Sequence, residues 1–183
     1  IRFKHATPPP QKPSSVWTLR NPSLTPNIIH DVIWAGTQYI AVGDNGTILT
    51  SPDAQTWTQQ YCGTQEKLLS ASYNKTTIVV GGNNGTYCSS QDGVQWAKSS
   101  SGSGRAVTSI STDSSMFVAV DGNTLLYSLD GASWSTSTGI TASGLLKPSF
   151  EAGIWIELSS SGAVYQSTDG MVWTGISSSS TLT

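Results

Sequence analysis

The sequence predicts an all-β protein assembled from repeated units, on three observations. A seven-residue turn of the form Ser-x-Asp-Gly/Ala-x-x-Trp occurs four times, beginning at Ser51, Ser90, Ser128 and Ser167. Its aspartates, Asp53, Asp92, Asp130 and Asp169, lie 39, 38 and 39 residues apart, and a fixed period near 40 marks a chain of supersecondary units. Between successive copies run short apolar segments broken by turn residues, without helical periodicity. Four short antiparallel strands per period make the blade of a β-propeller. The chain therefore reads as a β-propeller of four-stranded antiparallel blades, with repeats at about 28–60, 67–100, 105–138 and 144–177.

Residues 1–16 are basic and then proline-rich, with Pro8-Pro9-Pro10 and Pro13. Prolines favour an extended conformation and donate no ladder hydrogen bonds, so this segment reads as an arm or linker before a propeller domain at 17–183. Trp17 stands 40 residues before Trp57 and reads as the outer strand of an earlier blade, for which residues 1–16 are too few to supply the other three strands. The count is thus four complete blades plus one extra N-terminal outer strand.

Within each repeat the first strand opens at Ile28–Ile33, Leu68–Tyr73, Ala106–Ile110 and Leu145–Phe150. The second is a continuous apolar run, Tyr39–Val42, Thr77–Val80, Met116–Val120 and Ile154–Ile156, as suits a strand covered on both faces. Hairpin signals follow: Asp44-Asn45-Gly46, Asn83-Asn84-Gly85, Asp121-Gly122-Asn123 and Ser159–Gly162. Asn-Gly and Asp-Gly supply the positive φ that tight turns require. The third strand begins at Thr47 and its equivalents, the Ser-x-Asp-Gly turn closes it, and the fourth strand carries the Trp. A closed ring of four lies at the low end of what propellers use, while an open array leaves sheet faces uncovered, so assembly or further blades are expected.

Composition narrows the function classes. The charged fraction is 11% with a formal net charge of −2, and nine Lys and Arg are scattered along the chain. Nucleic-acid binding needs clustered basic residues that displace counterions, so no nucleic-acid partner is expected. No apolar run reaches the roughly 18 residues of a membrane helix, so no membrane insertion is expected. The Ser/Thr/Asn/Gly-rich, weakly charged character fits a secreted or cell-surface protein; a secreted protein would have had its signal segment removed or would carry it outside this sequence.

The Ser-x-Asp-Gly-x-x-Trp copies resemble the Asp-box, or bacterial neuraminidase repeat, over residues 28–177. The runs Ile40–Ser51 and Ser167–Gly170 are similar to repeats of sialidase-like propellers, including photosystem II stability/assembly factor-like proteins. Two departures stand out: one residue fewer between Asp and the aromatic than in the common Asp-box, and Ala54 where the first copy would carry Gly. The resemblance implies that the motif sits at the outer edge of the propeller, away from any central site.

A structural role accounts for the motif residues Ser51, Asp53, Trp57, Ser90, Asp92, Trp96, Ser128, Asp130, Trp134, Ser167, Asp169 and Trp173. Ser and Asp two positions apart can bond within their own turn, Gly allows a left-handed residue, and Trp buries a large ring between blades. The alternative is that the four aspartates bind metal or substrate. Sialidase-like enzymes, by resemblance, use three arginines, a Tyr–Glu pair and an acidic proton donor. Here Arg2 lies in a segment without the family's Phe/Tyr-Arg-Ile-Pro motif, Arg20 follows an outer strand, and Arg105 stands apart. Glu66, Glu151 and Glu157 suggest no carboxylate pair across a glycosidic bond. His5 and His30 are isolated. No catalytic residue, metal site or cofactor is expected, and a fragment of a sialidase-like hydrolase is the enzymatic alternative.

The expected role is a non-catalytic structural or protein-interaction module. It would self-assemble as a homo-oligomer through its arm and the Trp17 strand, by adding a strand to a sheet edge, or bind another protein. The alternative is a glycan-binding module, for which Trp34 and Trp155 are the candidate stacking residues unless they pack in the core. Cys62 and Cys88 either form a disulfide in an oxidising compartment or leave Cys88 as a core hydrophobe, in the position of Leu49, Leu126 and Tyr165. Asn45, Asn74 and Asn84 match the N-glycosylation acceptor pattern, although hairpin turns already account for Asn45 and Asn84.

Overall fold

The structure, a computed structural model, describes residues 25–176, so the proline-rich arm, Trp17, Arg2, His5 and Arg20 lie outside the described residues. The rest is all β: four four-stranded antiparallel sheets, each a meander of consecutive strands. Blade 1 is β1 (Ile29–Trp34), β2 (Tyr39–Gly43), β3 (Ile48–Ser51) and β4 (Thr58–Gln60). Blade 2 is β5 (Leu68–Tyr73), β6 (Ile78–Gly82), β7 (Thr86–Ser90) and β8 (Ala97–Ser100). Blade 3 is β9 (Val107–Thr112), β10 (Phe117–Asp121), β11 (Thr124–Ser128) and β12 (Ser135–Thr136). Blade 4 is β13 (Ser149–Glu151), β14 (Ile154–Leu158), β15 (Val164–Ser167) and β16 (Thr174–Gly175).

The hairpin residues adopt the backbone that their types allow. Asn45 and Asn84 take left-handed φ of 56° and 55°, followed by Gly46 and Gly85. Gly46 is also required by a close approach, because a Cβ there would lie 2.0 Å from the Thr64 carbonyl oxygen.

Blade 4 departs from the sequence expectation. The first strand is not Leu145–Phe150 but Ser149–Glu151, with Leu145 reduced to an isolated bridge to Ser159. Pro148 has no N–H to give the ladder, and its ring interrupts the strand at that point.

Since successive strand residues point to opposite faces, each blade has one face toward the preceding blade and one toward the following blade. At the first junction Ile40, Val42 and Ile48 meet Leu68, Ala71, Ile78, Val80 and Cys88. At the second, Val79 and Tyr87 meet Val107, Ile110, Phe117 and Ala119. At the third, Met116, Val118, Val120 and Leu125 meet Leu145, Trp155 and Tyr165. Among the described residues, no hydrogen bond and no apolar cluster joins blade 4 to blade 1. The four blades form an array whose two end faces are covered by no other described blade.

Candidate interaction surfaces

The four motif turns are closed within themselves. Asp53 Oδ1 accepts the N–H groups of Gln55 and Thr56, both at 2.8 Å, and the Ser51 hydroxyl at 3.1 Å. Asp92, Asp130 and Asp169 repeat this with Val94 and Gln95, Ala132 and Ser133, and Met171 and Val172. Hydrogen bonds to the ionised form hold these carboxylates below their ordinary range, led by the N–H of Thr56, Gln95, Ser133 and Val172 respectively. Asp130 falls to about 2. Among the described residues, no three His, Cys, Asp or Glu side chains stand close enough to hold a metal ion.

The motif glycine is a contact as well as a turn. A Cβ on Gly93 would meet Gln38 Nε2 of blade 1 at 2.5 Å, on Gly131 Val79 of blade 2 at 2.4 Å, and on Gly170 Val118 of blade 3 at 3.0 Å. Ala54, with φ of 56°, belongs to the one blade that has no described predecessor. The tryptophans divide in the same way. Trp96, Trp134 and Trp173 each join a junction cluster. Trp57 joins none, so it is an exception to the expectation that each Trp is buried between blades; it lies half-buried beside Tyr39, ring centroids 6.4 Å apart.

The face of blade 1 that a preceding blade would cover exposes Ile29 (40%), Val32 (55%) and Trp34 (50%). The counterparts of Ile29 and Val32, which are Leu68, Ala71, Val107 and Ile110, are buried at 3% or less, while Tyr73 and Thr112, in the place of Trp34, are half-buried. On the opposite end, Leu158 (45%) and Ile176 (44%) are exposed on the face of blade 4 that a following blade would cover, with half-buried Ile156 and Val164 beside them. The counterparts of Leu158, Val42 and Val120, are wholly buried. Edge-to-face contact with Tyr39, centroids 4.7 Å apart, fixes the Trp34 ring.

A third surface is the mouth where the first strands converge, a cavity of about 540 Å³ whose walls include Trp34, Tyr73, Phe150, Ser111, Thr112 and Lys147. Trp34 is thus on an open surface, but Trp155 is not: it is fully buried against blade 3, which removes it as a stacking residue. Asn74 is also a poor acceptor for a glycan. It is buried, and its Oδ1 takes the Thr76 and Thr77 N–H groups to close a turn. Asn45 and Asn84 are exposed, and Asn84 Nδ2 donates to Glu66 at 2.8 Å.

Cys62, in the loop leaving blade 1, is disulfide-bonded to Cys88 of blade 2, with a Cα separation of 6.1 Å, inside the first junction cluster. His30 pairs with Asp44 at 2.7 Å, and Lys67 of blade 2 reaches the same carboxylate oxygen at 3.2 Å, a second link between these blades. Burial lifts Glu157 to about 7. It points into the third junction rather than the axial mouth, which places it away from any open surface.

One set of residues escaped the sequence reading. At the same place in the repeat stand Asp31, Ser70 and Ser109 in their first strands and Lys147 just before that of blade 4. Asp31 Oδ2 accepts the Ala71 N–H at 2.9 Å, and Ser70 Oγ accepts the Ile110 N–H at 3.0 Å, each one repeat onward. Next in line is Pro148, which has no N–H, and Ser109 Oγ donates instead to the Leu146 carbonyl at 3.0 Å. The spacing of 39, 39 and 38 residues was the available signal.

No family model matches the chain, and no curated protein does. Solved structures do. YCF48 from Cyanidioschyzon merolae matches at 15% identity and TM-score 0.65 over 87% of this chain and 59% of that one. The GH74 enzyme of Niastella koreensis matches at 18% identity and TM-score 0.63 over 81% and 24%. The computationally designed Ika4 protein matches at 15% identity and TM-score 0.70 over 83% and 98%. The chain therefore has the β-propeller fold, and it spans little more than half the length of YCF48.

Proposed function

We propose that this chain is a non-catalytic interaction module, secreted or cell-surface, that works through the two end faces of its blade array. The observation that carries this reading is the exposure of Ile29 and Val32 at blade 1 and Leu158 at blade 4, whose counterparts are buried at all the internal junctions. Surfaces of that chemistry are stabilised when another protein removes them from water. The Cys62–Cys88 disulfide supports an oxidising compartment. YCF48, of the same fold, has been solved bound to a D1 peptide. The Asp-box turns serve as structure, since their carboxylates are taken up by their own backbone. The arm and the Trp17 strand are proposed to add to the contact at the blade 1 end.

The test is native mass spectrometry of the protein recovered from its source, compared with a Trp34→Ser/Leu158→Ser variant. Loss of the associated species in the variant supports the reading; a variant with every association intact overturns it. Deleting residues 1–22 tests the arm, and unchanged assembly removes it from the proposal.

A second reading, glycan binding, is favoured by the axial mouth alone, where Trp34, Tyr73 and Phe150 stand among hydroxyls. It requires saturable sugar binding that Trp34→Ala abolishes.

A further inference from the structure

The two end faces are complementary to each other. Each internal junction sets the following-side face of one blade against the preceding-side face of the next, and among the described residues one face of each kind is left uncovered. The blade 4 face, with Ile156, Leu158, Val164 and Ile176, is the counterpart of faces that blades 2, 3 and 4 cover. The blade 1 face, with Ile29, Val32, Trp34 and Trp57, is the counterpart of the covering ones.

The polar register shows the same complementarity. At internal junctions the side chain at the Asp31 place reaches the main chain of the next blade, accepting its N–H where one exists. Blade 4 carries Lys147 there, and an ammonium donates only. Blade 1 is suited to a donor. The N–H that the preceding side chain would serve, that of Val32, already donates to Asp31 Oδ1 at 2.8 Å. That carboxylate oxygen therefore occupies the place where the preceding blade's side chain would arrive. Asp31 and Lys147 are the two charged residues of the four at this place, and they have opposite sign. Within the chain they do not pair, and among the described residues no hydrogen bond or ion pair engages the Lys147 ammonium.

We propose, on the end-face reading above, that the occupant of each end face is a second copy of this chain. Blade 4 of each copy covers blade 1 of the other, with Lys147 against Asp31. Two such heterologous contacts close on themselves around a two-fold axis. Two copies make eight blades, whereas three would exceed the common range of about four to eight. The axial mouth is then completed by both copies.

The test is sedimentation equilibrium of the full chain, with cysteine cross-linking of the proposed seam. The expected particle has twice the chain mass. A Val32→Cys population and a Lys147→Cys population, both altered at exposed positions, cross-link when mixed and not when oxidised separately. Lys147→Asp sets two carboxylates together and raises the dimer dissociation constant at least tenfold. A single-chain particle, a particle of more than two copies, cross-linking within one population, or a Lys147→Asp dimer of unchanged affinity overturns the proposal. A single-chain mass combined with loss of a different protein from the Trp34→Ser/Leu158→Ser variant overturns the pairing while leaving the interaction function standing. The single-chain result covers the case in which the end faces are filled by other parts of the same polypeptide.

Discussion

The buried carboxylate of Glu157 holds the Leu146 N–H at 2.7 Å through one oxygen and has no partner for the other. It takes a place filled by Ala41, Val80 and Ala119 in the other blades. Burial, opposed by the Leu146 hydrogen bond, raises its pKa from 4.5 to about 7. Between those values the folded chain keeps the proton and the unfolded chain releases it, so stability falls as pH rises through that window and levels off above it. The shift corresponds to about 3 kcal/mol. Thermal melts from about pH 5 to pH 8 will show this decline, and Glu157→Gln, which stays neutral, will flatten it. Parallel profiles for the two proteins would show that Glu157 does not carry the effect.

The disulfide should be a main source of stability for the first junction. Its partners are 26 residues apart, and closing a loop of that size stabilises by about 3 to 4 kcal/mol through the unfolded chain. Cys62→Ser/Cys88→Ser will lower the urea midpoint accordingly, and reductant will have no further effect on that variant. A wild-type midpoint insensitive to reductant would contradict the link.

The motif tryptophans should separate by position. Trp173 is buried in the third junction and its Nε1 donates to the Gly170 carbonyl at 3.0 Å. Trp173→Ala is expected to cost about 3 to 5 kcal/mol. Trp57 lies on the uncovered face of blade 1, so Trp57→Ala will cost about 1 kcal/mol or less in the unassociated chain and will weaken association instead. Chemical denaturation at low concentration, below association, measures both.

The first motif copy can be improved where the others cannot. Ala54 holds a left-handed φ of 56° without a side-chain need, and Ala54→Gly should stabilise by about 1 kcal/mol. Gly93→Ala should do the reverse. It strains a φ of 73° and drives a methyl into Gln38, whose amide donates to the Asp92 carbonyl at 2.7 Å. Melting temperatures that move in the same direction for both variants would refute this account of the motif glycine.

The repeat was legible because its signals are local. A Ser-x-Asp turn, an Asn-Gly hairpin and a Trp at fixed spacing each carry their own physical cause, and the four sheets follow from them. The fourth blade's first strand was misjudged because Leu145 and Leu146 are apolar enough to suggest a strand, whereas Pro148 decides where its ladder can run. Trp155 and Trp34 look alike in sequence, each beside an apolar run. They stand at different places in the repeat: Trp155 is in a second strand, where Ile78 and Phe117 are also buried, while Trp34 ends a first strand, where Tyr73, Thr112 and Phe150 stay half-buried, and it has no described blade before it. The Asp31 to Lys147 register was present in the spacing but had no meaning until one strand was seen beside the next.

The measurement that tests the central claim most directly is native mass spectrometry of the chain across a range of concentrations. The account predicts a particle of two chains that gives way to single chains on dilution. A particle of one chain at every concentration would contradict it.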